Sequence, residues 1–149
     1  MSEKQWIWIN LGGILTFGLF LLISLITRGQ NALVVMTEII GFITLIFAII
    51  TFIYIKNDNR WLCISIIAYT IPWIVFGVGY EIGIEESMNN FNLWFAIFYG
   101  FIIASFVFMQ RSYHNLTNIF KLVPAFFLFF HSILLLYMVV LHIWWLLPF

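Results

Sequence analysis

The apolar residues of this chain fall into five long runs separated by short polar connections. The connections read RGQN, KNDNR, EIGIEESMNN and RSYHNLTNIFK. A helix needs roughly 20 apolar residues to cross the hydrocarbon of a bilayer, and each run is close to that length. Helices are expected because an open strand cannot pair its backbone N–H and C=O groups in lipid. The predicted spans cover residues 6–27, 32–55, 61–80, 91–109 and 122–147.

The composition leads to the same class of protein. The 149 residues are 64% hydrophobic and only 8% charged, whereas soluble domains carry about 25% charged residues. We therefore expect an all-α integral membrane protein, a compact bundle of five transmembrane helices forming a single domain with membrane lipids as its surroundings. Six basic residues and a net charge of zero exclude the basic footprint of a nucleic-acid-binding protein.

The basic residues predict the orientation, because lysine and arginine are enriched in cytoplasmic connections. With the N-terminus in the cytoplasm and the C-terminus outside, only Arg28 lies outside. The residues expected inside are Lys4, Lys56, Arg60, Arg111 and Lys121.

A composition rich in Ile, Asn and Phe favours a bacterial plasma membrane, crossed several times.

Small residues mark the helix faces that can pack closely in lipid. The clearest stripe is Ala96, Gly100 and Ala104 in the fourth span. We expect such stripes to close the monomer, and the alternative is that the stripe in the fourth span makes a homodimer. The second span carries a comparable stripe, Thr37, Gly41, Thr44, Ala48 and Thr51.

Pro72 lies in the middle of the third span. Proline lacks the N–H that would bond the carbonyl of Ala68, so a kink is expected there. Such kinks shape a bundle, and they also occur where helices break around a transported ligand.

Glu38 is the only acidic residue within a predicted span, about 9 Å from the outer end of the second helix. An ionised carboxylate at that depth costs ~2 kcal/mol or more unless it is paired or protonated. It is therefore a candidate binding residue, with snorkelling or an interhelical hydrogen bond as the structural alternative. The outer connection holds Glu81, Glu85 and Glu86, which we interpret as a solvated acidic loop that could also attract a cation.

Two histidines stand in the apolar stretch HSILLLYMVVLH, His131 and His142. They share one helix face about 16 Å apart. His131 falls near the midplane, where a neutral imidazole needs a partner such as Tyr69 or Trp73, and a structural interhelical hydrogen bond is the preferred interpretation. His142 falls at the outer interface as a belt residue, or else pairs with Glu38 in a cation or proton site.

No cofactor or metal is expected. Two bis-histidine haems need four histidine ligands, and the third and last histidine, His114, lies in a cytoplasmic connection. The single cysteine, Cys63, and the absence of HExxH or CxxC motifs argue against zinc.

Three functions remain open. The preferred one is non-enzymatic binding within the bilayer, as an accessory subunit, immunity-type protector or regulator of a membrane complex, with a membrane-protein partner or a second copy of the chain. The second is a small oligomeric transporter or channel, and the third is an enzyme acting on lipid or quinone, for which no catalytic residue stands out. The candidate ligand- or ion-binding residues are Glu38, His131, His142, Tyr69 and Trp73.

Overall fold

The computed structural model describes residues 1–148 and places them in five long helices. Each of the five is long and apolar enough to cross a membrane, which is the pattern of a multi-pass membrane protein. The described residues contain no strand. The helices are α1 (Glu3–Ile26), α2 (Asn31–Tyr54), α3 (Arg60–Ile82), α4 (Phe91–Asn115) and α5 (Leu122–Leu146), and a short 3₁₀ turn, Ile119–Lys121, precedes α5.

The five predicted helices are confirmed, and the largest difference in their bounds is at the end of α4. The apolar run ends near residue 109, whereas the helix continues to Asn115. Its last turns remain helical although they are polar, and at the end of the helix the N–H of Leu116 donates to the carbonyl of Ser112 (3.0 Å). The apolar run therefore marks the expected depth of lipid and not the length of the helix.

Helix α3 is the centre of the bundle. Half of its most apolar window (50%) is buried, against 17–22% in the other four helices. It contacts all four of the other helices, and α1 packs chiefly on α2 and only briefly on α3. The gap between α1 and α3 at one end of the bundle is where the candidate site lies.

The two ends of the bundle differ in charge. The N-terminal end carries Ser2 and the α2–α3 and α4–α5 connections, and the C-terminal end carries the α1–α2 and α3–α4 connections. At the N-terminal end, Glu3 accepts hydrogen bonds from the side-chain amides of Asn57 (2.7 Å) and Asn59 (3.1 Å), and Arg60 lies 4.3 Å from the ring centre of Phe52. Five of the six basic residues belong to this end, which is the distribution from which the orientation was predicted.

Glycine allows the closest approaches between helices. Gly41 of α2 faces Phe17 of α1, and a Cβ there would come within 2.9 Å of the Phe17 ring. Gly79 of α3 faces Trp94 of α4, and a Cβ there would overlap the indole. All five small residues of the stripe that the sequence marked on α2 are buried.

The stripe on α4 is placed differently. Ala96, Gly100 and Ala104 are all exposed on the surface of the bundle, and a Cβ on Gly100 would meet no atom within 4 Å. The expectation that this stripe closes the monomer is therefore corrected. The opposite face of α4, with Phe95, Phe98 and Ile102, is the face buried against α3 and α5.

Pro72 is buried inside α3, which runs without interruption from Arg60 to Ile82. Pro72 therefore does not divide α3 into two half-helices around a ligand. The helix ends at Gly83, whose left-handed backbone (φ +77) suits a residue without a Cβ.

Candidate functional site

A cavity of about 420 Å³ opens at the C-terminal end of the bundle, between α1, α2 and α3. Its volume falls within the range of small-molecule sites in proteins. Phe17, Gly41 and Trp73 form its deep wall, and Arg28 and Glu81 stand at its mouth. The lining is almost entirely apolar, which makes the few polar groups in it decisive for what can bind.

Glu38 of α2 lies in the wall of this cavity. Its Oε1 atom is buried and accepts no hydrogen bond from an N–H or hydroxyl group of the described residues. The carboxyl group rests against α3 at Gly77, where a Cβ would lie 3.5 Å from Oε1. A buried carboxylate oxygen without a donor costs free energy, so Glu38 is the group in the cavity that needs a partner.

Glu81 places a second carboxyl group at the same cavity. Trp73, Gly77 and Glu81 follow one another at intervals of four residues on α3, so they lie along one face over about 12 Å. The carboxyl groups of Glu38 and Glu81 lie close enough to hydrogen-bond each other, which they can do only by sharing a proton. The sequence had assigned Glu81 to a solvated loop, whereas the structure places it in the last turn of α3.

The rim of the cavity has an apolar side and a charged side. Leu25, Val78 and Ile82 are exposed apolar residues that line it, so it opens through hydrocarbon-like surface. On the charged side stands Arg28, which adopts a left-handed backbone (φ +57) and is followed by Gly29 (φ +72). A non-glycine residue in this conformation is strained by about 1 kcal/mol.

His131 is fully buried between α3 and α5. Its Nε2 atom donates to the backbone carbonyl of Tyr69 at 3.1 Å, and its ring stacks on the Tyr69 ring with centroids 4.9 Å apart. Phe127 stacks on the same ring at 4.3 Å, so two residues one turn apart on α5 flank Tyr69. Nδ1 of His131 has no hydrogen-bond partner among the described residues.

His142 lies at the C-terminal end, between α4 and α5, and both its ring nitrogens are engaged. Nε2 is 2.8 Å from Asn92 Oδ1 and Nδ1 is 3.0 Å from the Tyr99 hydroxyl. A neutral ring that donates from Nε2 and accepts at Nδ1 satisfies both contacts. The imidazole also stacks on Phe95 at 4.2 Å, so His142 is held by α4.

The five candidate residues do not form one site. Glu38 and Trp73 line the cavity, Tyr69 and His131 pack together in the core, and His142 is engaged on α4. A Glu38–His142 pair is therefore absent from the described residues, and a transport site built on Glu38, His131 and His142 together has no geometric basis. The Trp73 indole N–H is buried and makes no hydrogen bond of good geometry, but it lies close enough to the Tyr69 hydroxyl to interact with it.

Sequence reasoning missed Asn10, which is 1% exposed on α1. Its Nδ2 donates to Thr51 Oγ1 of α2 at 2.6 Å and to the carbonyl of Trp6 at 2.8 Å. An asparagine one turn inside an apolar run was the available signal, because a polar side chain there needs an interhelical partner.

No group of three potential metal ligands forms among residues 1–148. Comparison with protein-family models, curated protein sequences and solved structures gave no match. Function is therefore inferred from the geometry of the chain itself.

Proposed function

We propose that this protein acts by binding an amphiphilic molecule within the bilayer, in the cavity between α1, α2 and α3. The observation that carries the proposal is a cavity of about 420 Å³ with apolar walls and a buried carboxyl oxygen of Glu38 that receives no N–H or hydroxyl donor from the described residues. Apolar walls with a few convergent polar groups are typical of ligand sites. The binding role agrees with an accessory or regulatory protein.

The rim supports entry from the bilayer. Exposed Leu25, Val78 and Ile82 border the cavity, and an apolar chain can pass them without desolvating a charge. With the N-terminus in the cytoplasm, as the basic residues favour, the cavity faces the outer leaflet.

Filling the cavity tests the proposal. Leucine at Gly77 projects into the space beside Glu38, whereas alanine adds only a Cβ in ordinary contact, 3.5 Å from Glu38 Oε1. We expect wild type and Gly77→Ala, extracted in mild detergent, to retain a bound amphiphile in native mass spectra, and Gly77→Leu to lose it. Equal bound mass in all three proteins, or none in wild type, contradicts the proposal.

A second candidate is association with another transmembrane helix through α4. One observation favours it: the small-residue stripe on α2 is buried within the monomer, while Ala96, Gly100 and Ala104 of α4 are exposed. Small residues allow close approach of a second helix, either from another copy of this chain or from a partner protein.

Leucine at Gly100 separates association from folding. Because a Cβ at Gly100 meets nothing within 4 Å, Gly100→Leu should leave the monomer as stable as wild type, within about 0.5 kcal/mol. If α4 mediates association, the variant should shift from dimer or complex to monomer in detergent, as measured by multi-angle light scattering. Destabilisation of the monomer contradicts the exposed placement of Gly100, and an unchanged assembly contradicts association through α4.

A further inference from the structure

Charge is unevenly arranged along the cavity wall. Glu38 and Glu81 present two carboxyl groups on facing helices, α2 and α3, and their charges interact. Farther along the helices from the C-terminal end of the bundle, the wall continues as Phe17, Phe42 and Trp73. The cavity therefore has two carboxyl groups near the C-terminal end of the bundle and a chamber with apolar walls farther from that end.

We infer that the ligand of this cavity is a single-chain amphiphile with a protonated amine as headgroup, held by Glu38 and Glu81 with its chain against Trp73. The inference rests on the proposed function and specifies its ligand class. An ammonium group donates three hydrogen bonds and accepts none. It can donate to Glu38 Oε1, which receives no N–H or hydroxyl donor from the described residues, and to Glu81, so that both carboxyl groups can ionise without sharing a proton.

The length of the chamber sets the length of the chain. Trp73 and Glu81 are eight residues apart on one helix, which corresponds to about 12 Å. With C–C bonds of about 1.5 Å, an extended alkyl chain advances about 1.3 Å per carbon. A chain of about nine carbons therefore spans from the level of Glu81 to that of Trp73, and a chain of about five carbons spans from the level of Gly77, beside which Glu38 Oε1 lies. Decylamine is long enough for an amine held at either carboxyl group to reach the Trp73 indole.

The position of Arg28 distinguishes an amphiphile from a simple cation. Arg28 stands on the charged side of the rim, where its positive charge repels a cation that approaches from water. The apolar side of the rim, with Leu25 and Val78, contains no charge. An amine attached to an alkyl chain can enter by that side, and once bound it lies deeper than Arg28.

Titration calorimetry in one maltoside detergent tests the ligand class with four probes: decylamine, decanol, decanoate and ethylamine. We expect decylamine to bind wild type, decanol and decanoate to bind more weakly, and ethylamine to show no binding. Glu38→Gln should weaken decylamine binding about ten- to hundredfold, because it removes charge-assisted hydrogen bonds, and leave decanol unchanged. Glu81→Gln should have a smaller effect, because Glu81 is exposed and its charge is screened.

Gly77→Leu separates the ligand class from the proposed function. If all three ten-carbon probes bind equally to wild type and Glu38→Gln, but not to Gly77→Leu, the cavity binds amphiphiles and the amine inference is wrong. If decylamine alone binds but Glu38→Gln binds it as tightly as wild type does, the inference is also overturned. If none of the probes binds wild type, or if Gly77→Leu binds them all unchanged, both the inference and the proposed function fail.

Discussion

Replacing His131 with alanine lowers the free energy of unfolding by about 2–4 kcal/mol. The variant loses a fully buried ring that stacks on Tyr69, and it leaves a cavity between α3 and α5. It also loses the hydrogen bond from Nε2 to the Tyr69 carbonyl, worth about 1 kcal/mol. Equilibrium unfolding in mixed micelles, followed by circular dichroism, measures the change.

The neighbouring residue provides the control for His131. Ser132 is exposed, and its hydroxyl bonds only the carbonyl of Leu128 in its own helix, so Ser132→Ala should change stability by less than about 0.5 kcal/mol. His131→Phe, which keeps a stacked ring but no N–H donor, should fall between the two. His131→Ala with the stability of Ser132→Ala would show that the histidine does not hold α3 against α5.

Alanine at Gly79 lowers stability by about 1–3 kcal/mol. A Cβ at this position overlaps the indole of Trp94, and helices α3 and α4 form the most extensive helix pair of the bundle. Relieving the overlap requires the helices to separate or the indole to leave its packed position. The same unfolding measurement reports the loss.

A second helical glycine isolates this effect from helix propensity. A Cβ at Gly18 of α1 meets nothing within 4 Å, so Gly18→Ala should be neutral or stabilising by up to about 1 kcal/mol. Both substitutions change the intrinsic helix propensity in the same direction, and only Gly79→Ala adds the contact with Trp94. Equal stabilities of the two variants would be inconsistent with the close α3–α4 approach.

The helices were predictable because the hydrocarbon of a bilayer permits little else. An apolar run of spanning length must satisfy its own backbone, and this makes it a helix whichever neighbours it finds. The end of α4 was not predictable in the same way, because the polar residues that follow Met109 can continue a helix in the headgroup region or leave it. In the structure they continue the helix to Asn115.

The candidate site was only half predictable. The cost of burying a carboxylate identified Glu38, but Glu81 was interpreted as part of a solvated acidic loop, because nothing in the sequence pairs it with Glu38. The partner of His131 is a backbone carbonyl, that of Tyr69, and every residue has one. A stripe of small residues states that a helix can approach closely, but not which helix does so, and for this reason the α4 stripe was misplaced.

Quenching of Trp73 fluorescence by ω-bromodecylamine tests the central claim of cavity binding most directly. Bromine quenches an indole only near contact, and an amine held by Glu38 and Glu81 places the far end of the chain beside Trp73, which lines the deep wall. We expect a saturable, partial loss of the summed emission of the seven tryptophans in wild type, and no such loss in either Trp73→Phe or Gly77→Leu. Quenching that rises linearly with concentration and is equal in all three proteins would show that the molecule dissolves in the detergent and does not occupy the cavity.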